Sequence, residues 1–234
     1  QDWLELIELE DEPCVLGSLL DVTEARQAEE ALRAREAELR LITDNVAAMI
    51  AYHDAEWGVP SHDDDHLFEH LTLEGAQAGL NWELVLKKRD GYRRAFADYD
   101  LKKIAAFDEA RVEELAQDPG IVRNRLKIRS VVANAQAALK VRAESGSLDA
   151  FLWGLAGGKP RQNAWKRLSD LPAITPDSDR ISKELVNRGF RFVGPTGMYA
   201  FMQSAGMVND HLVGCFRYPQ IKATAAQGGA RVRK

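Results

Sequence analysis

Cysteine is nearly missing from this chain: there are two in 234 residues, Cys14 and Cys215. That excludes a disulfide framework and makes a reducing compartment, the cytoplasm, the expectation. Long apolar runs are missing too. No stretch approaches the roughly eighteen apolar residues that a membrane span needs. The opening Gln1-Asp2-Trp3-Leu4-Glu5 lacks the basic residues of a signal peptide. An excess of positive charge is lacking overall, the formal net charge being −5. The deficit is local, however. Residues 1–51 carry four arginines against thirteen acids, a net of −9, which leaves +4 for the remainder. A chain that changes sign at one point often changes function there, and a mildly basic remainder suits a polyanionic partner.

Strand material is confined to residues 5–20, where Leu6, Leu9, Val15, Leu16 and Leu19 flank an Asp-Glu-Pro turn at 11–13. Thr23 is a candidate N-cap for a charged helix reaching about Thr43. Ala25, Ala28, Leu32, Arg35, Leu39 and Ile42 form its heptad-like seam, with Arg35 interrupting it. From residue 64 onward the patterning is helical, with candidate helices at 64–78, 81–96, 101–106, 108–117, 122–142, 147–155, 178–188, 195–205 and 208–215 and no convincing strand. Gly79, Gly91, Pro119-Gly120, Gly157-Gly158, Gly189 and Gly206 punctuate them. The expected fold class is all-α, preceded by a short strand-like segment and one long exposed helix.

Four features can carry chemistry, and each also has a plain structural reading. Leu67, Leu71, Glu74 and Ala78 share one helix face, so Glu74 sits on an apolar stripe. Either it reaches water or an arginine from the edge, or it is a buried acid with a task. His211 and Cys215, four apart on the last expected helix, are a core pair or two ligands of a metal, with His53 as a third. A helix ending at Gly189, the run Phe190-Arg191-Phe192-Val193-Gly194 and a helix opened by Pro195 make an ordinary helical hairpin or a phosphate-holding one. Tyr52, Trp57 and Trp82 suit a packed core, or the walls around a flipped base.

Several long motifs occur in order. They are Tyr52-His53-Asp54-Ala55-Glu56-Trp57-Gly58-Val59-Pro60, Leu73-Glu74-Gly75-Ala76-Gln77-Ala78-Gly79-Leu80-Asn81-Trp82, Val85-Leu86-Lys87-Lys88-Arg89 and Gly120-Ile121-Val122-Arg123 with Lys127-Ile128. Arg188-Gly189-Phe190-Arg191-Phe192-Val193-Gly194 and Val208-Asn209-Asp210-His211-Leu212-Val213-Gly214-Cys215 complete the set. Over about 52–220 the chain resembles DNA-3-methyladenine glycosylase I, of the helix-hairpin-helix DNA glycosylase superfamily. The stretch Leu16–Leu32 resembles the end of a PAS sensor domain and its signalling-helix linker, and Arg40–Tyr52 the opening of a following PAS domain.

The resemblance implies a base-excision repair hydrolase that flips 3-methyladenine out of alkylated double-stranded DNA; no lysine is placed as an obvious Schiff-base nucleophile, so a monofunctional enzyme that leaves the strand uncut is expected. It implies Glu74 as the base-reading acid, with Tyr52, Trp57 and Trp82 as pocket aromatics. The hairpin pattern puts Gly194, Pro195, Thr196 and Arg191 at the DNA, and Gln77–Leu80, with Gly79 and Leu80 as DNA contacts, are expected to fill the gap left by the flipped base. His53, His211 and Cys215 match ligands of a structural zinc site. Asn209 stands where many members of the superfamily carry an essential Asp. The family's N-terminal Cys, its fourth zinc ligand, and a nearby stacking Trp are replaced by the PAS-like segment. Cys14, 39 residues before His53, is not expected to complete the site. The expected division is a PAS-like fragment at 1–22, a linker helix at 23–45, the glycosylase domain at 46–220 and a flexible basic tail at 221–234. A monomer is expected, with weak dimerisation through 23–43. Two other readings stand beside the enzyme: a DNA-binding module without catalysis, and a PAS-linked signalling or dimerisation protein.

Overall fold

The computed structural model describes residues 4–9, 12–17 and 23–226. They fall into two units, 1–46 and 47–234. In the first, β1 (Leu4–Leu9) pairs antiparallel with β2 (Glu12–Gly17), Leu4 opposite Gly17 and Leu9 opposite Glu12. Glu12 and Pro13, expected in the turn, are instead part of β2. A two-stranded sheet has only edge strands, which tolerate the missing N–H of Pro13. The helix expected to stop near Thr43 runs further, as α1 (Thr23–Ala55). No glycine or proline occurs between Gly17 and Gly58 to end it sooner. The PAS-like opening at 40–52 is therefore helix. On the seam, Ala28, Leu32 and Arg35 are exposed.

The second unit is helical and is built around α2 (Asp64–Gln77). Asp63 caps it by accepting from the His66 N–H at 3.0 Å. The apolar stripe read from the sequence is too narrow: every residue from Leu67 to Ala76 is buried, whereas Ala78 is exposed. Such a helix is a central one. It packs against α7 (Arg125–Ser145), α8 (Leu148–Ala156) and α10 (Pro195–Ser204), and α10 packs against α9 (Pro176–Asn187). Between α2 and α7 lie α3 (Trp82–Lys87), α4 (Arg89–Ala95), a 3-10 turn at Ala97–Tyr99, α5 (Leu101–Ala105) and α6 (Glu109–Leu115). The single helix expected over 81–96 is thus two, broken at Lys88, where ψ is 2°.

The expected helix over 208–215 does not form. Val208–Asn209 is a short strand, β4, parallel to β3 (Arg161–Gln162), and turns follow it to Phe216. Side chains compete successfully with helical hydrogen bonds here. The Asn209 amide donates to Gln162 Oε1 (2.8 Å) and to the Tyr218 carbonyl (3.2 Å). The expectation of no strand in this unit is corrected by the same pair. The flexible tail expected over 221–234 is corrected for 221–226, which belong to α11 (Arg217–Ala226), with Ile221 buried. Residues 227–234 lie outside the description.

Candidate active site

Near its C-terminal end, α2 delivers Glu74 to a cavity of about 680 Å³, ample for a purine. The side chain is 6% exposed, and among the described residues no cation pairs with it. Burial pushes its carboxyl up to about 8, with the Ser204 hydroxyl pulling the other way. The edge reading of Glu74 is therefore replaced by the buried one. Tyr52, from the last turns of α1, and Trp82, which opens α3, form one wall, their ring centres 5.4 Å apart and tilted by 47°. The Tyr52 hydroxyl and Trp82 Nε1 are both buried without a partner. Burial, then the charges of Glu74 and Glu56, push the Tyr52 hydroxyl far above the usual tyrosine range, so it stays protonated as a donor. Trp57 lines the same cavity. Buried polar atoms without partners are uncommon, and here two of them edge a hollow next to an acid.

His53, His211 and Cys215 come together although no helix carries the last two, their ligand atoms all lying within 4.8 Å of one another. Tertiary turns, not the four-residue helical spacing, make the group. Gly58 is part of the reason: it has φ +80°, and a Cβ there would lie 2.8 Å from His211 Cε1. The group passes a chemical test for a metal. His211 Nδ1 is 3.1 Å from Asn209 Oδ1, and its Nε2 is buried without a partner. His53 Nδ1 is 2.7 Å from Asp54 Oδ1, and its Nε2 is 3.6 Å from Cys215 Sγ. Outer oxygens thus hold one ring nitrogen of each histidine and leave the other facing the thiol, an arrangement common around bound metals. Burial, then the neighbouring His53, pushes His211 down to about 4, so it is neutral and able to ligate. Cys14 lies where no side chain is described.

The remaining expected residues lie at two edges. Gly194 is the N-cap of α10, followed by Pro195 in the first turn and by Thr196. Arg191 is exposed, and its backbone is held by Asn134, whose Oδ1 accepts from its N–H at 2.7 Å and whose Nδ2 donates to its carbonyl at 3.0 Å. Gly79, with φ +76° and open space around it, and the exposed Leu80 follow the end of α2. There Lys127 donates to the carbonyls of Ala76 (2.7 Å) and Ala78 (2.6 Å).

Sequence reasoning gave no role to Asn134, Lys127 or Asp210, although the last two lie within its motifs. Asp210 is a buried acid at the cavity. It accepts from Tyr199 Oη (2.5 Å), Asn163 Nδ2 (2.6 Å), Gln203 Nε2 (2.8 Å) and Trp165 Nε1 (2.8 Å). Those donors come from distant segments, so no local pattern signals them. Lys166 lines the cavity as well, although no lysine stands out from the sequence as a nucleophile.

Comparison with known proteins is consistent with this geometry. The family model described as methyladenine glycosylase matches residues 42–218. The chain is 49% identical over 170 residues to DNA-3-methyladenine glycosylase 1 of Escherichia coli (strain K12), covering 73% of this chain and 91% of that one. It is 45% identical over 166 residues to DNA-3-methyladenine glycosylase of Haemophilus influenzae, covering 71% and 90%. A crystal structure of 3-methyladenine DNA glycosylase I superposes with a TM-score of 0.72 at 48% identity, over 74% of this chain and 94% of that one. Another, in complex with 3-methyladenine and carrying a Tyr-to-Phe substitution, also gives 0.72, at 35% identity over 74% and 92%. The chain belongs to the methyladenine glycosylase family.

Proposed function

We propose that this protein removes 3-methyladenine from alkylated DNA by hydrolysing the base–sugar bond, and that residues 46–220 form the enzymatic unit. The observation that carries this reading is a buried Glu74, without a cationic partner among the described residues, facing an aromatic-walled cavity. Methylation at N3 places positive charge on adenine and weakens its bond to deoxyribose. The enzyme then needs no strong acid; it must take the base out of the stack and hold the cation. Glu74 does this best as a carboxylate. A cationic base entering the hollow favours the ionised form of Glu74, whose proton passes to solvent, and the resulting pair is strong because little water reaches it. Tyr52 and Trp82 face the base with their rings and offer it two free donors, while Trp57 closes the other side. Water attacks the sugar carbon as the base leaves.

The hairpin between α9 and α10 is read as the DNA grip. The backbone N–H groups of Gly194 and Thr196, either side of Pro195, hold a phosphate with Arg191 beside them. Gly79 and Leu80 enter the gap in the duplex. Zinc fits His53, His211 and Cys215. It supplies no chemistry to the reaction, and those residues would use it to tie the end of α1 to the 211–215 turn.

The test is chromatography of bases released from methylated duplex DNA. Free 3-methyladenine with an uncut strand is expected. Strand scission without added alkali would instead assign a lyase step, with Lys166 as its nucleophile, and no released base would leave only a DNA-binding role.

A further inference from the structure

A second cluster, none of whose members lines the base pocket, is not used by the proposed reaction. Glu56, just past the end of α1, meets His66 and His70, one turn apart on α2. Glu56 Oε1 is 3.0 Å from His66 Nε2 and 3.2 Å from His70 Nε2, and the two Nε2 atoms are 3.1 Å apart. His70 is fully buried and His66 half-buried.

Protons alone serve this triangle poorly. If both imidazoles point an N–H inward, two hydrogens oppose each other across 3.1 Å. If only one does, a nitrogen lone pair faces the carboxylate. Two imidazoles and a carboxylate whose ligand atoms converge in this way are a familiar ligand set for a divalent transition metal. A metal at roughly 2.0–2.1 Å from each of three tetrahedral donors would space them about 3.3–3.4 Å apart, close to the spacing found.

We propose that Glu56, His66 and His70 form a divalent transition-metal site, separate from His53, His211 and Cys215. Outer contacts are in place for His66 and Glu56, whereas His70 Nδ1 is buried with no partner among the described residues. Ser61 Oγ is 2.8 Å from His66 Nδ1, and Arg89 holds both oxygens of Glu56 at 2.5 and 2.6 Å. Arg89 and Arg93 also bind Glu69. The two carboxylates are thus balanced by two guanidinium groups, and no surplus of negative charge remains to attract magnesium or calcium. The imidazoles set the preference, toward zinc or cobalt(II). Such an ion fastens the segment carrying Tyr52 and Trp57 to the helix carrying Glu74.

Cobalt(II) titration of the metal-stripped full-length protein separates the two sites. A thiolate charge-transfer band reports Cys215 and should vanish in Cys215→Ser. Ligand-field bands without a thiolate component should persist in that variant and vanish in Cys215→Ser/His66→Gln. On the single variant, ¹⁵N spectra should show the Nε2 signals of His66 and His70 moving when one equivalent of zinc is added, a readout that needs no change to the cluster. Ligand-field bands missing from Cys215→Ser, bands surviving His66→Gln, or unmoved imidazole signals would each overturn the assignment and leave a hydrogen-bonded cluster only.

Discussion

Asn134 of α7 grips the backbone of Arg191 in both directions, accepting from its N–H and donating to its carbonyl. A buried side chain thereby fixes the loop that leads into α10. Asn134→Ala should cost about 1–3 kcal/mol of stability, because the Arg191 N–H loses its partner. It should also weaken DNA binding more than it slows base release from bound DNA. Urea unfolding and a binding isotherm at two salt concentrations check both parts.

Glu74 should make stability depend on pH. Its folded value of about 8 lies above its ordinary 4.5. Between those two values the unfolded chain has given up a proton that the folded chain keeps. Stability contributed by this group is therefore present at acidic pH and lost as pH rises through that window, by up to roughly 1.4 kcal/mol per pH unit. Glu74→Gln removes the dependence. Its unfolding temperature should exceed that of the unmodified protein, with a gap that widens from pH 5 to pH 8. A constant gap would mean that Glu74 is already ionised in the empty cavity.

The aromatic wall gives a prediction with opposite signs. The Tyr52 hydroxyl is buried without a partner, so Tyr52→Phe should leave stability unchanged or raise it slightly. The same change should weaken capture of free 3-methyladenine several-fold, since one donor to the base is gone. Calorimetric titration with the free base separates the two effects.

If zinc holds His53, His211 and Cys215 together, stabilisation should follow mass action and reach about 2.7 kcal/mol at a hundredfold excess over its dissociation constant. Melting curves with zinc and with chelator should differ for the unmodified protein. Cys215→Ser should remove the part of that difference due to this site.

Much of the helical unit is legible locally. Asp63, Asn81, Ser147 and Thr175 each accept the N–H three residues on, where a helix begins, and Gly189 follows the end of α9 with φ +93°. What local pattern cannot give is reach. Asp210 gathers donors from segments up to 47 residues away, and Lys127 crosses 51 residues to the end of α2. The expected 208–215 helix fails for the same reason: Asn209 and Asp210 spend their side chains on distant partners, and the backbone follows them. The placing of His211 beside Cys215 was legible, but its cause was not, since turns and Gly58 bring them together rather than a helix face.

The account rests on one buried acid meeting one cationic base, and single-turnover release of 3-methyladenine from methylated duplex DNA tests it most directly. The unmodified protein should release the base with kcat/KM rising toward a plateau above about pH 8, as Glu74 ionises. Glu74→Gln should be roughly 10- to 100-fold slower, the worth of a charge-assisted hydrogen bond, and should lose that rise. Equal rates for the two proteins, or no base released by either, would contradict it.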